Sequence, residues 1–356
     1  MPQRTQGHGL LQPKPSQPPQ EADTVRVVHV VCTANFAGVE SHIASLAHQQ
    51  VMDGDDVTVV GGDPSRMPGA GSYAWLPGTS APEAAGSLRH VVPNVTHAHM
   101  TRAEFTATLL SRHRPIVATR HFARRRAMST RGLLAPIISS RVDAQISVSK
   151  FVADAIETPS VVIPAGVPNQ SAIKPAADRD KVILVLQRLE VEKRPLDALK
   201  AFHASDLWWD DWRLQFVGGG SMTDEIRTLA AGMGLAAHVD LVGYQEDPAP
   251  YLDRARVLLA PCTIEAQGLA VIEAMARALP VVAAGAGGHL ESVGSVSGAA
   301  LYDPAGLTEA GEWLRRIATE DSLADQYGHE LQARQRERFN LAAQSRDVRR
   351  VYEGVL

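Results

Sequence analysis

The stretch Pro261-Cys-Thr-Ile-Glu265-Ala-Gln-Gly268-Leu-Ala-Val-Ile-Glu273-Ala-Met-Ala-Arg-Ala-Leu-Pro280-Val-Val282 holds a strand end, a loop, a helix and the start of a further strand. Ile272, Met275, Ala276 and Leu279 recur at offsets 0, 3, 4 and 7 and so share one helical face. The helix begins near Gly268, where its first backbone N–H groups have no partner inside the helix. Such a terminus attracts phosphate, through free donors and aligned peptide dipoles together. Glu273 lies about 100° around the helix from Ile272, beside the buried stripe, while Glu265 precedes the helix in the loop. Both carboxylates can face one cleft. Taken alone, the two acids fit a capping residue and a solvated helix position as well.

Outward from this unit, Val257 to Ala260 is the strand that enters it and Pro280 to Ala283 the strand that leaves it. Lys181 to Leu186, Arg213 to Val217 and Val239 to Val242 are further strand candidates, and helices are expected over 222–233 and 268–278. The alternation predicts a mostly parallel sheet covered by helices. The first of these strands runs into Gln187-Arg188-Leu-Glu-Val-Glu-Lys193-Arg-Pro195, an Arg and a Lys in one strand-to-helix loop. Arg offers a planar fork to two phosphate oxygens and Lys a compact point charge, a pairing suited to charge that grows on a leaving diphosphate. The same two residues alone also read as a solvated basic loop.

The first half repeats the architecture. Val25 to Cys32 is an apolar run of strand length, and the helix after Gly38 carries Val39, Ile43, Leu46 and Ala47 at offsets 0, 4, 7 and 8. Val57 to Val60, Val95 to Ala98, Ile116 to Thr119, Ala144 to Val148 and Val161 to Pro164 follow as strands. The expected organisation is a disordered Pro- and Gln-rich tail over 1–23, one α/β domain over 24–168, a linker over 169–180 and a second α/β domain over 181–336. Over 337–356 the chain is helical, and Val348, Val351, Tyr352 and Val355 form a 0, 3, 4, 7 stripe that must dock against something.

With 45% hydrophobic and 21% charged residues and a net charge of −4, the 356-residue chain carries no global field that would favour nucleic acid. Cys32 and Cys262 sit in no zinc-type spacing and read as buried thiols of a reducing compartment. No apolar run approaches the roughly 18 residues of a membrane span, and the opening segment lacks the apolar stretch of a secretion signal, so a soluble cytoplasmic protein is expected.

Arg188 to Lys193, followed by Glu265-x7-Glu273 with Gly268, Ala274-Met-Ala276 and Pro280-Val-Val, resembles glycosyltransferase family 4, whose members have the GT-B fold. The resemblance extends over nearly the whole chain after residue 24. Asn35-Phe-Ala-Gly38-Val-Glu40 is similar to the family's Gly-Gly-x-Glu loop, and His97-Ala-His99, Thr119-Arg-His121, Ile146-Ser-Val-Ser149 and Val162-Ile-Pro-Ala-Gly166-Val167 fall at its landmarks. It implies two Rossmann-like domains facing across a cleft, with the C-terminal helices returning to the first domain. It implies a retaining transferase that moves a hexose or N-acetylhexosamine from a nucleotide sugar, by family habit a UDP-sugar, to a small-molecule or glycan acceptor. Carried over residue by residue, Arg188 and Lys193 bind the diphosphate, Glu273 the ribose and Glu265 the transferred sugar. Gly38, Gly268 and Leu269 supply backbone amides, Gly218 belongs to a nucleotide-facing loop, and His121 contacts the sugar near the anomeric carbon. Catalysis rests on Glu265, Arg188, Lys193 and His121. No cofactor and no metal are implied, and His97 and His99 read as strand-end packing.

Several positions depart from the family pattern: Ala37 replaces a Gly, Ala165 an Asn, Gln187 a Gly and Ala266-Gln267 a Gly-Phe, the last pair bordering the expected sugar pocket. The basic cluster Arg120, Arg124, Arg125, Arg126 and Arg131 follows the cleft mouth; Arg124, Arg125 and Arg126 are candidate contacts to a phosphorylated acceptor or, at the inner membrane face, to anionic lipid. A solvated basic helix is the plainer reading of that cluster. Trp208-Trp-Asp-Asp-Trp212 reads as packing rather than a sugar platform. A nicotinamide-dependent oxidoreductase is disfavoured, because the first strand is followed by Gly38 alone and no G-x-G-x-x-G. A nucleotide-sugar epimerase and a non-catalytic nucleotide-sugar-binding protein on the same fold remain the alternatives.

Overall fold

The computed structural model describes residues 24–34, 37–67, 69–126 and 135–356; the expected tail over 1–23, Asn35, Phe36 and Arg131 lie outside the described residues. Two parallel sheets organise the chain. Strands β1 (Arg26–Val30), β2 (Asp56–Val60), β3 (Ala74–Leu76), β4 (Val95–His99), β5 (Ile116–Arg120), β6 (Ala144–Ser147) and β7 (Val161–Val162) stand in the order β3-β2-β1-β4-β5-β6-β7. Strands β8 (Val182–Leu186), β9 (Arg213–Val217), β10 (Val239–Gly243), β11 (Val257–Ala260), β12 (Val281–Ala284) and β13 (Leu301–Tyr302) stand in the order β10-β9-β8-β11-β12-β13. In both sheets the order reverses beside the first strand, the point at which α/β folds place their ligands.

The helices are α1 (Gly38–Met52), α2 (Ala81–Ser87), α3 (Met100–Phe105), α4 (Ala135–Arg141), α5 (Lys150–Ala155) and α6 (Pro195–Ala204), then α7 (Thr223–Gly232), α8 (Ala249–Arg254), α9 (Leu269–Ala276), α10 (Leu307–Thr319), α11 (Asp321–Arg338) and α12 (Leu341–Glu353). The central strands are buried on both faces, as the unbroken apolar runs require: all four residues of β11 and of β12 are buried. Sequence reading missed β3 and β13, three and two residues long at sheet edges, because so short a segment carries no periodicity.

The C-terminal stripe docks on the first domain. Val348 and Tyr352 are buried with Val27, Val95 and Val117 of the first sheet and with Val25 just before it, and Val351 and Val355 pack against the same cluster. The crossing into the second domain and the crossing back lie side by side, with Val167 N–H donating to Phe339 O at 2.9 Å. A Cβ on Gly166 would come within 2.4 Å of Asn340 O, so only glycine fits between the two crossings. The return is a single helix: α11 runs to Arg338 within the second domain, packed on α9, and only α12 leaves it.

Contacts between the domains come from loops at the carboxyl ends of strands. Gly38 follows β1, and a Cβ there would lie 3.3 Å from Leu269 Cδ1 beyond β11. Ala266 packs against Val148 and Val152 after β6. Glu291, beyond β12, accepts the backbone N–H groups of Lys150 and Phe151 at 2.7 and 2.8 Å and so caps the start of α5. Arg66, beyond β2, donates to the Tyr244 hydroxyl beyond β10. The two sheets therefore meet carboxyl edge to carboxyl edge.

Candidate active site

At the centre of that edge two helix N-termini converge. No N-cap side chain bonds into α1 or α9, each of which begins at a glycine or directly after one; at α1 the Glu40 carboxylate accepts the N–H of Ala37, before the helix, at 3.0 Å. Gly268 holds φ at +85°, a left-handed conformation that lets the loop turn sharply into α9. The first N–H groups of both helices thus remain as donors, and their positive dipole ends face the same gap through Gly38 and Leu269. Two such ends repel unless an anion lies between them, so the gap is built for negative charge.

Lys193 Nζ lies 2.5 Å from Glu265 Oε2 beside this gap, both side chains about four-fifths buried (18% and 20% exposed). Burial pushes the Glu265 carboxyl up, but the Lys193 ammonium outweighs it and holds the group below its ordinary value. The Glu265 loop rests on Gly287 and Gly288: Gly288 N–H donates to Glu265 O at 2.8 Å, and a Cβ on Gly288 would come within 2.4 Å of Ala266 O. Beside it His289 is buried, its Nδ1–H donating to Ala284 O at 3.2 Å, and burial keeps its ring neutral. Sequence reading passed over Gly287 to His289; a Gly-Gly pair just after a strand was the available signal.

Arg188 is exposed and paired with Glu192 at 2.9 Å, four residues on. Its loop is shaped by Gln187, whose side-chain amide donates to Lys193 O at 2.9 Å and closes the segment between the two basic residues. Gly218 acts from behind. A Cβ there would fall 1.9 Å from Gln187 O, and its φ of +138° suits glycine, so it lets the Arg188 loop sit against the β9 turn. Glu273, on α9, has its carboxyl pushed up to about 7, with burial the main cause, Arg277 opposing and Asp247 adding to it. The structure brings Arg188, Lys193, Glu265, Gly268, Leu269, Glu273 and Gly38 onto loops and helix starts of the one carboxyl edge. The Gln267 side chain is engaged across the domains: its amide pairs with the backbone of Ala165.

His121 lies at the end of β5 within a group of buried histidines, with His29, His42, His97 and His99. His99 Nδ1 meets His121 Nε2 at 3.1 Å, His29 Nδ1 meets His99 Nε2 at 2.9 Å, and His29 Nε2 meets Gln50 Oε1 at 2.7 Å. His97 bridges the Tyr352 hydroxyl (2.7 Å) and the Thr119 hydroxyl (2.6 Å). Burial lowers the proton affinity of every ring, to about 4 for His29 and His42, so the cluster is neutral. His29, His97 and His99 each offer a ring nitrogen within 4.8 Å of the others. The His97 and His99 rings are stacked at 4.2 Å, so their in-plane lone pairs run side by side instead of converging on one ion.

The basic cluster divides. Arg126 is buried and spent on ion pairs: its guanidinium holds Glu104 Oε2 at 2.7 Å and also Glu157, with Gln145 Oε1 at 3.0 Å. Arg120 reaches the same two acids and is equally buried. Sequence reading placed Arg126 toward an acceptor; its ion pairs with the buried Glu104 and the partly exposed Glu157 instead hold it inside the domain. Arg124 and Arg125 are exposed. Of the tryptophans, Trp212 is buried, Trp208 packs on the second core and Trp209 stacks on Trp208 with its outer face 71% exposed.

Comparison with known proteins bears on this geometry. The model for glycosyl transferases group 1 matches residues 167–334, and that for Glycosyltransferase Family 4 matches residues 36–170. An uncharacterized glycosyltransferase of Haemophilus influenzae is 31% identical over 85 residues, 24% of this chain and 24% of its own length. EpsD of Bacillus subtilis is 36% identical over 81 residues, 23% of this chain and 21% of its own. The matched stretch thus spans under a quarter of each of these relatives. Among solved structures, Anabaena HepE in complex with UDP and glucose superposes with a TM-score of 0.76 at 16% identity, covering 93% of this chain and 100% of that one. Sucrose-phosphate synthase from Thermosynechococcus elongatus does so with a TM-score of 0.72 at 17% identity, covering 92% and 98%. At these identities the likeness establishes the shared fold. Among the described residues no helix is long and apolar enough to cross a membrane.

Proposed function

We propose that this chain, which belongs to the family-4-like glycosyltransferases of the GT-B fold, transfers a glycosyl group from a nucleoside-diphosphate sugar to an acceptor hydroxyl with retention of anomeric configuration. The observation that carries this reading is the gap between the starts of α1 and α9, with Lys193 and Glu265 held 2.5 Å apart at its side. A diphosphate placed there meets helix amides from both domains, the Lys193 ammonium and, once it leaves Glu192, the Arg188 fork. As the bond from the anomeric carbon to the phosphate oxygen breaks, charge grows on the diphosphate, and these groups, gathered around it once the donor is bound, stabilise it. The acceptor oxygen bonds to the anomeric carbon from the same face, and its proton passes to the departing phosphate oxygen. Glu265 holds the transferred sugar, Glu273 the ribose diol, and His121, neutral, a sugar hydroxyl. A UDP-sugar carrying a hexose or N-acetylhexosamine is the proposed donor, supported by the UDP complexes of the HepE fold relative. Arg124 and Arg125, exposed beyond His121, are the proposed acceptor-side contacts.

The test is a thermal-shift screen with UDP, GDP and ADP, followed by chromatography of the nucleotide sugar after incubation with candidate acceptors. Acceptor-dependent release of nucleoside diphosphate and a product of unchanged anomeric configuration are expected. An isomerised donor, or an inverted product, overturns the reading.

A further inference from the structure

Gly287 and Gly288 seat the backbone of the Glu265 loop and leave its side chain to be fixed by other groups. A Cβ on Gly287 would come within 2.7 Å of Glu265 O and 3.2 Å of Thr263 O, so the turn beyond β12 lies directly against the loop. The Glu265 carboxylate has a partner in Lys193, but in the proposed function that ammonium also meets the diphosphate. A cation shared with the leaving group holds Glu265 least firmly when the donor is bound. A carboxylate that must grip a sugar at that moment needs a donor on which the nucleotide does not draw.

Cys262 supplies one. It follows β11 three residues before Glu265 and is 2% exposed. Its sulfur accepts the Ile264 N–H, and its thiol reaches two acceptors, Glu192 O at 3.5 Å and the Glu265 carboxylate. An S–H has a single proton and is a weak donor, so the stronger acceptor takes it. A hydrogen bond to an ionised group is roughly twice as strong as one to a neutral group, which assigns the proton to Glu265 over the Glu192 carbonyl. Burial pushes the Cys262 thiol up, Lys193 opposing and Glu265 adding to it, so the sulfur keeps that proton. The other cysteine is a control within the same chain: Cys32 is equally buried and donates to the uncharged Thr106 hydroxyl at 3.4 Å.

Resting on the proposed function, in which Glu265 holds the transferred sugar, we propose that Cys262 is a positioning residue whose S–H keeps the Glu265 carboxylate aimed at that sugar while Lys193 turns to the diphosphate. It acts through Glu265 and touches neither nucleotide nor sugar. Lys193 then couples Glu265 to the diphosphate, and Cys262 steadies the sugar end. Loss of the thiol is therefore felt by a sugar nucleotide and not by the bare nucleotide.

The experiment has two parts, both on the full chain. With two cysteines in the sequence, the S–H stretching region of the infrared spectrum holds two bands, and Cys262→Ala assigns them. The Cys262 band is expected at lower wavenumber than that of Cys32, because a charged acceptor draws the proton harder, and Glu265→Gln should move it toward the Cys32 position. A Cys262 band indifferent to Glu265→Gln places the proton on Glu192 O and overturns the inference. Calorimetry then compares UDP with whichever of UDP-glucose and UDP-N-acetylglucosamine the wild type holds more tightly. Cys262→Ala should leave UDP affinity within about twofold and weaken the sugar nucleotide roughly threefold to tenfold, the scale of one hydrogen bond. Cys262→Ser, whose hydroxyl donates from the same position, should recover most of the loss. Equal losses for both ligands mean that the thiol only packs the loop, and no loss in either means that Glu265 is held without it; both overturn the inference. A wild type that takes neither UDP nor the sugar nucleotide fails the functional reading and the positioning role with it, while the infrared band decides separately whether the thiol holds Glu265.

Discussion

Ala165 N–H donates to Gln267 Oε1 at 2.7 Å while Gln267 Nε2 donates to Ala165 O at 2.8 Å, a closed pair between the β11–α9 loop of the second domain and the segment after β7 of the first. Gln267 is 5% exposed, so both bonds are shielded from water. Gln267→Leu keeps the volume but orphans a backbone donor and acceptor together. The expected loss is about 2 kcal/mol, read by urea unfolding, and more if neither group regains water. Small-angle scattering should show a larger radius for the variant. An unchanged midpoint and radius would mean that the other loop contacts fix the angle alone.

Glu273 makes donor affinity depend on pH. An unfolded glutamate ionises near 4.5 and this one near about 7, so between those values the folded state keeps a proton the unfolded state has lost. The stability this acid supplies is full at low pH and falls as pH rises through that window. A ribose diol donates to the ionised form, so nucleotide affinity should rise over the same window. Glu273→Gln should flatten both profiles and weaken UDP about tenfold above pH 7, the scale of a hydrogen bond to a charged group. Calorimetry across the range decides it: a UDP affinity that ignores pH in the wild type removes Glu273 from the ribose.

Lys193 and Glu265 give the opposite sign. With the Glu265 carboxyl held below its ordinary value of 4.5, the pair stabilises the fold above that pH, and its contribution is lost as pH falls through the depressed value. Lys193→Met should remove this acid-side dependence, cost about 2 kcal/mol near neutral pH and leave a largely buried carboxylate without its partner. Turnover should drop roughly a hundredfold or more, since the ammonium faces charge that grows only in the transition state. Near-wild-type turnover in Lys193→Met would displace Lys193 from the diphosphate.

The α1 and α9 stripes, the central strands and the acids flanking Gly268 were legible because local periodicity and loop chemistry are written in adjacent residues. The departures Ala165 and Gln267 were visible separately, but nothing in the chain announces that residues so far apart meet, so Gln267 was read only as bordering the sugar pocket. Gly218 was legible as a turn, whereas its closeness to Gln187 O belongs to the packing of two loops. Arg126 misled through composition: in a run of arginines, burial separates it from the exposed Arg124 and Arg125.

That separation supplies a prediction in which stability and acceptor binding part company. Arg126 neutralises Glu104, which is fully buried, together with Glu157, and among the described residues Arg126→Met leaves the Glu104 carboxylate with only the more distant Arg120 Nε at 3.7 Å. Removing one partner of a buried pair costs about 3–5 kcal/mol, so this variant should unfold early in urea. Arg124→Ala and Arg125→Ala remove exposed charges and should shift stability by no more than about 0.5 kcal/mol. If these two meet a phosphorylated acceptor, its KM should rise roughly fivefold for each and the effect should shrink with added salt, while donor KM stays fixed. Steady-state kinetics at two ionic strengths check it, and an acceptor KM indifferent to both substitutions leaves the exposed arginines solvated and moves the acceptor elsewhere on the first domain.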